Sequence, residues 1–314
     1  MKVIQAFTDE VNDVDIAVNQ VLGQIYTSEL LENSLGILAC HYEFVLSGVA
    51  DAICEALPFN VVGTVSSAQA TDAAFGKFGL ALTILTANDV MFSTALSEPL
   101  DTNPEIVAAQ AYATAAASED AIVGANPQLV LLHAPYMLTN SGDDYLDAIN
   151  KESGGVPLFG AIGADDTSDF RYCYSIYNGE CFNNRIALTL VYGNVSPCFY
   201  VASVGKINDS FNKEDMLVAT SKAMDAALNN YVEKKTNATS IMLVYSCIAQ
   251  NISLCSDQLL EPMLVKEKLA GKLPFMMANA YGEFCPTQNN DDAKTASGLI
   301  NNRFHNNTLS VCVL

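Results

Sequence analysis

Three apolar runs recur along the chain: LGILAC (35–40), LVLLHA (129–134) and SIMLVYSC (240–247). Their recurrence constrains the fold more than any other feature, because a repeated pattern implies a repeated structural unit. Continuous apolar runs of this length predict strands buried on both faces; a strand with one wet face would alternate. An amphipathic helix is predicted before each. Val14, Ala17, Val18, Val21, Leu22 and Ile25 share one helical face before the first strand, with Thr8 or Asp9 as N-cap candidates. The alanine-rich segment 105–123 precedes the second strand, and a stripe of Leu217, Met224, Leu228 and Tyr231 precedes the third.

The segments after the three runs are also alike. A shorter helix is predicted over 45–57, 142–150 and 257–270, and a proline then introduces a second strand in PFNVVG (58–63), PLFGAIG (157–163) and PFMMANAYG (274–282). A further strand closes each unit: LALTILT (80–86), IALTLVYG (186–193) and TLSVCVL (308–314). The expected fold is α/β: three degenerate helix-strand-helix-strand-strand units whose mixed parallel and antiparallel sheets are covered by helices. Strand–helix–strand crossovers make parallel pairs, and the third strand can return antiparallel. Ligands in such folds gather at the carboxyl ends of the parallel strands.

Half of the 314 residues are hydrophobic, enough for a large core, yet no stretch approaches the roughly 20 apolar residues of a membrane helix. The opening MKVIQAFTDEVND lacks the order of a secretory signal, so a soluble cytoplasmic protein is expected. With 35 acids against 15 bases the net charge is −20, which disfavours nucleic acid and anionic membranes as partners. The nine cysteines are an odd number without a CxxC pair, as expected of reduced thiols.

The strand ends carry the candidate chemistry. Counting from Gly63, Gly160 and Met277, the sixth position is Gln69, Asp166 and Glu283, each a hydrogen-bonding side chain just past a buried strand. A carboxylate there could grip an ammonium or hydroxyl group, and it could equally cap a helix or close a turn. The first strands end in Cys40-His41, His133 and Ser246-Cys247, so polar groups meet at one sheet edge if these strands are neighbours. A thiolate–imidazole nucleophile or a divalent-metal site of His41, His133, Asp166 and Glu283 are the sharper alternatives, without a supporting local motif such as HxxxH or GxSxG. Gly160 and Gly163 do not form a phosphate loop; they suit a turn with positive φ or close strand packing. His305-Asn306-Asn307-Thr308 reads as a hairpin turn entering the last strand.

Several of these stretches together resemble the FIST family, a sensory module with N- and C-terminal parts. LGILACHY, FNVVGTVSSAQ, VPLFGAIGADD and the YNGE turn (177–180) are similar to its N-terminal part; LVYSC (243–247), YGEFCP (281–286) and FHNNTLSVCVL (304–314) are similar to its C-terminal part. Ser67, Ala68 and Gln69 stand where the family usually has Ala-Gly-Glu, and Met277 where glycine is common. The resemblance implies an N-terminal part over 1–204 and a C-terminal part over 205–314, in a stand-alone form. It also implies a non-catalytic sensor of a small polar metabolite held between the two parts, amino acids being among the ligands, with a downstream signalling protein as partner. The residues expected at the ligand are His41, Ser66, Ser67, His133, Asp165, Asp166, Ser246, Tyr281, Gly282 and Glu283. No cofactor or metal is expected. The competing expectations are a thiol- or metal-dependent hydrolase using Cys40, His41 and Cys247, and a protein–protein scaffold.

Overall fold

Each apolar run is an interior strand of its own six-stranded sheet in the computed structural model, which describes residues 1–122, 124–203, 213–233, 241–254, 257, 259–287 and 300–314. The first unit comprises β1 (Lys2–Thr8), α1 (Val14–Leu22), β2 (Asn33–Cys40), α2 (Tyr42–Leu46), α3 (Val49–Glu55), β3 (Val61–Val65), β4 (Gln69–Thr71), β5 (Phe75–Gly76) and β6 (Leu80–Ala87). The second comprises β7 (Val90–Leu96), α4 (Pro104–Ala116), β8 (Leu129–Ala134), α5 (Gly142–Ser153), β9 (Leu158–Ile162), β10 (Ser175–Tyr177), β11 (Glu180–Phe182) and β12 (Ala187–Gly193). The third comprises β13 (Cys198–Ser203), α6 (Lys213–Glu233), β14 (Met242–Cys247), α7 (Ile248–Ser253), α8 (Leu260–Leu269), β15 (Phe275–Ala280), β16 (Gly282–Pro286), β17 (Asn302–His305) and β18 (Thr308–Val313). The order helix, strand, helix, strand, strand holds in every unit. Two additions recur: a leading strand (β1, β7, β13) and a hairpin before the closing strand (β4–β5, β10–β11, β16–β17). The division expected at 204–205 falls outside the described residues, next to β13, which pairs with β18.

The crossover pairs β2–β3, β8–β9 and β14–β15 are parallel. The closing strands return antiparallel beside the first strand of each pair, as β6–β2, β12–β8 and β18–β14. The inserted hairpins do not stay in their own sheets. The hairpin β4–β5 extends the third sheet beyond β15, β10–β11 extends the first beyond β3, and β16–β17 extends the second beyond β9. Each unit therefore donates a hairpin to a neighbour and receives one, in a closed cycle.

Packing explains the double burial. On β2, Leu35, Ile37 and Ala39 turn toward a central core, where they meet Leu131 and Phe159 of the second sheet and Leu243 and Met276 of the third. Leu38 and Cys40 turn the other way, onto Val21 of α1 and Ile53 of α3. The second sheet is backed by Val107 and Tyr112 of α4 and Leu146 and Ile149 of α5. The third is backed by Met224 of α6 and Val265 of α8. Each fully buried Leu, Ile, Val, Phe or Met among them contributes about 1.5–3 kcal/mol. Three sheets thus share one inner core while separate helices clad their outer faces.

Local chemistry sets the helix bounds. Asp13, not Thr8 or Asp9, caps α1, its Oδ1 accepting the Ile16 N–H at 3.0 Å. Asn103 caps α4 with Pro104 in its first turn, and the helix ends at Ala116, short of the expected 123. The stretch expected as one helix over 45–57 is two, α2 and α3, because Gly48 adopts φ +81° between them. Gly63 and Gly160 serve close approach: a Cβ there would lie 1.9 Å from the Leu38 carbonyl oxygen and 1.8 Å from that of Leu132.

Candidate functional site

The ten residues expected at the ligand occupy three neighbourhoods. The first lies past β2. His41 is 1% exposed and its Nε2 stands 3.2 Å from Asp166 Oδ1, while Lys77 Nζ reaches Asp166 Oδ2 at 3.0 Å. The ring of His41 packs against Tyr42 and Phe78. Partial burial would raise the Asp166 carboxyl, but Lys77 and His41 outweigh it and hold the group below its ordinary range. Asp165 points into its own loop, where its carboxylate accepts from the Thr167 N–H at 3.1 Å and the Tyr172 N–H at 2.6 Å. Its work there is to close the turn.

His133 belongs to the second neighbourhood, inside the central core. Its Nε2 lies 2.9 Å from the Tyr245 hydroxyl, and Nδ1 has no hydrogen-bond partner among the described residues. Burial lowers its pKa to about 3, so the ring is neutral across the physiological range.

The third neighbourhood lies at the ends of β14 and β15. Ser66 Oγ donates to the Ala68 carbonyl and accepts the Asn279 N–H, both at 2.8 Å, and Ser67 Oγ lies 3.4 Å from Asn279 Oδ1. These serines anchor the donated β4–β5 hairpin to the third sheet. Ser246 Oγ donates to buried Glu261 Oε2 at 2.8 Å, and Thr220 Oγ1 donates to Oε1 at 2.9 Å. Glu283 is fully buried and accepts from Thr308 Oγ1 at 2.6 Å. Burial, with Glu261 nearby, pushes its pKa well above the usual carboxylate value. The Cys247 thiol bears on the same carboxyl and is itself raised to about 12 by burial and then by Glu283. Gly282 leaves room for Phe304, whose ring carbons would lie 2.4 Å from an added Cβ.

The expected equivalence of Gln69, Asp166 and Glu283 holds for two of the three. Gln69 pairs with Ala278 and Glu283 with Ala161, in matching registers, but the residue at that place in the remaining sheet is Ser175, opposite Thr64. Ser175 lies fifteen residues after Gly160, where the other units need six, so a loop insertion displaces Asp166 to the His41–Lys77 cluster. The first-strand ends are also out of step. Register places His133 level with Tyr245 and Ala39, whereas His41 is level with Cys247.

That insertion also lines open clefts at the surface. Its residue Phe170 adopts φ +50°, an unusual conformation for a bulky side chain, and meets Tyr281 from the β15–β16 link with ring centroids 5.2 Å apart. Two adjoining clefts share these rings as a common wall. The larger, about 590 Å³, is lined also by Asp101, Tyr136, Leu138 and Arg171. The smaller, about 270 Å³, is lined also by Cys247, Ile252, Asn306 and Asn307. Of the ten expected residues, Tyr281 alone lines either cleft. Phe170 and Tyr136 escaped sequence reasoning; the dense aromatics of DFRYCY (169–174) and APY (134–136) after strand ends were the available signal.

The family model of the FIST N domain matches residues 34–209, more than half of the chain. This chain belongs to the FIST family. The FIST module is a sensory domain, and the matched segment reaches from β2 past β13, including the insertion that carries Phe170. Comparison with curated proteins returned no match. Among solved structures, a cyanuric acid hydrolase from A. caulinodans is 10% identical over 99% of this chain and 97% of its own, with a TM-score of 0.45. A second cyanuric acid hydrolase is 7% identical over 99% of this chain and 98% of its own, with a TM-score of 0.43. Similarity at this level carries no inference about activity. Among the described residues of this FIST protein, no group of three or more His, Cys, Asp or Glu side chains is arranged to hold a metal ion, and no helix is long and apolar enough to cross a membrane.

Proposed function

We propose that the protein is a non-catalytic cytoplasmic sensor that binds a small polar metabolite in the paired cleft walled by Phe170 and Tyr281, and passes the bound state to a signalling partner. The carrying observation is the composition of that wall. Phe170 comes from the second unit and Tyr281 from the third, so a ligand there touches both the N-terminal part and the segment that resembles the C-terminal part. A ligand held from both sides favours whichever arrangement closes on it. The strained φ of Phe170 supports the reading, since such conformations persist at binding sites where the surroundings enforce them.

The protonation states also favour binding over thiol chemistry. Burial raises both Cys40 and Cys247, so neither is a thiolate at neutral pH, and His133 is committed to Tyr245 in the core. His41 is engaged with Asp166. A thermal-shift panel of amino acids, amines and other small metabolites tests the proposal: a true ligand raises the melting temperature of the wild type, and Phe170→Ala and Tyr281→Ala abolish the shift. A shift that survives both substitutions would place the site elsewhere.

A further inference from the structure

Three aromatic rings converge on the larger cleft. Tyr136 and Tyr281 have centroids 3.9 Å apart, and Phe170 meets them edge-on at 6.2 and 5.2 Å. All three are half-buried, so each keeps a surface toward the cleft. The charged groups beside them are Asp101, Asp169 and Arg171. Arg171 Nε donates to Asp169 Oδ2 at 2.8 Å, and that pair neutralises itself. Asp101 accepts from the neutral Asn184 amide, Nδ2 to Oδ2 at 2.7 Å, and forms no ion pair among the described residues. The cleft therefore offers an aromatic surface and one carboxylate whose charge is uncompensated. A chain of net charge −20 adds a field of the same sign.

We propose that the ligand of this cleft is a small organic cation, with an ammonium head against the Tyr136–Phe170–Tyr281 rings and Asp101 supplying the countercharge. The proposal rests on the cleft being the sensory site. Aromatic faces carry negative charge density that attracts cations, most strongly alkylated ones that shed water readily. A hard metal ion would find too few oxygen ligands here. A zwitterion would lack a free partner for its carboxylate, because Arg171 is spent on Asp169. Leu138, 90% exposed at the mouth, suits the alkyl part of such a cation.

Calorimetric titration of the full chain at low salt with choline, putrescine, agmatine, glycine betaine and 3,3-dimethyl-1-butanol tests this. The last is the uncharged carbon counterpart of choline. At least one cation should bind tighter than about 1 mM. If that cation is choline, the neutral counterpart should bind roughly tenfold more weakly and glycine betaine no better. Asp101→Asn should weaken the bound cation at least about threefold while leaving the melting curve unchanged. Failure of all three cations, equal binding of choline and its neutral counterpart, or indifference to Asp101→Asn overturns the proposal. If the cations fail while other metabolites still give shifts lost in Phe170→Ala and Tyr281→Ala, the sensory cleft stands and only its ligand class falls.

Discussion

His133 Nε2 and the Tyr245 hydroxyl, 2.9 Å apart, occupy the same register position in two different sheets and meet in the core those sheets share. Their contact has a pH signature. Burial lowers the His133 pKa from 6.5 to about 3, so the unfolded chain takes up a proton between those values and the folded one does not. This contribution is intact above about pH 6.5 and is lost as pH falls, at roughly 1.4 kcal/mol per unit. Urea unfolding of wild type and His133→Phe should show a stability advantage of the wild type that shrinks by about that slope below pH 6.5. A gap independent of pH would mean the imidazole is not held neutral.

Glu283 carries the opposite dependence. Its raised pKa means the folded state keeps a proton that the unfolded state has lost, so this contribution is largest below the unfolded carboxyl pKa of 4.5 and declines as pH rises toward the folded value. Glu283→Gln preserves the acceptor for Thr308 and removes the titration. The variant should gain on the wild type by roughly 1.4 kcal/mol per unit of rising pH over that interval, read from urea midpoints. Parallel pH profiles would show the carboxyl to be charged in the folded state.

Gly160 and Gly154 should respond oppositely to alanine. At Gly160 the new Cβ would collide with the Leu132 backbone oxygen inside a parallel strand pair, and a loss of more than about 3 kcal/mol, or failure to fold, is expected. Gly154 caps α5 at φ +68° with nothing within 4 Å of its Cβ position, so the cost is confined to backbone conformation, about 1 kcal/mol. Thermal melts of both variants decide the matter. Comparable losses would contradict the close strand approach.

Asn302 tests the exchanged hairpins. From the donated β17 its Oδ1 accepts the Leu158 N–H, while its Nδ2 donates to the Val156 carbonyl, both at 2.8 Å. In the first sheet, Asn178 of the donated β10–β11 turn accepts the Val61 N–H at 2.8 Å, at the matching strand start. Either substitution by alanine leaves a strand-end N–H without its partner and should cost about 1–3 kcal/mol. Because the two sites sit in different sheets, the double variant should lose the sum of the single losses within about 0.5 kcal/mol. Chemical denaturation of the single and double variants measures this; losses near zero would show that the asparagines do not clamp the hairpins.

The repeating pattern made most of the architecture legible. Runs such as LVLLHA are apolar at nearly every position because both faces of β8 are covered, so strand identity and burial are set by residues close in sequence. The helices were readable for the same local reason, although their ends needed the capping contacts of Asp13 and Asn103 and the φ of Gly48. The hairpins were not readable. The strand β4 has three residues and β5 two, too few to show a period, and Gln69 finds its partner at Ala278, more than two hundred residues away.

The candidate site divides in the same way. Sequence alone determined that polar groups stand at the ends of three buried strands, because strand ends are where an apolar run stops. Tertiary structure decided which of them meet. His133 stands level with the core-facing Ala39 and Tyr245, inside its strand, whereas His41 falls two positions further on, past the end of β2. The insertion after β9 carried Asp166 away to His41 and Lys77 and brought Phe170 onto Tyr281, a residue of another unit. Local periodicity reports burial, whereas a cleft made by two distant loops depends on how three sheets pack around one core.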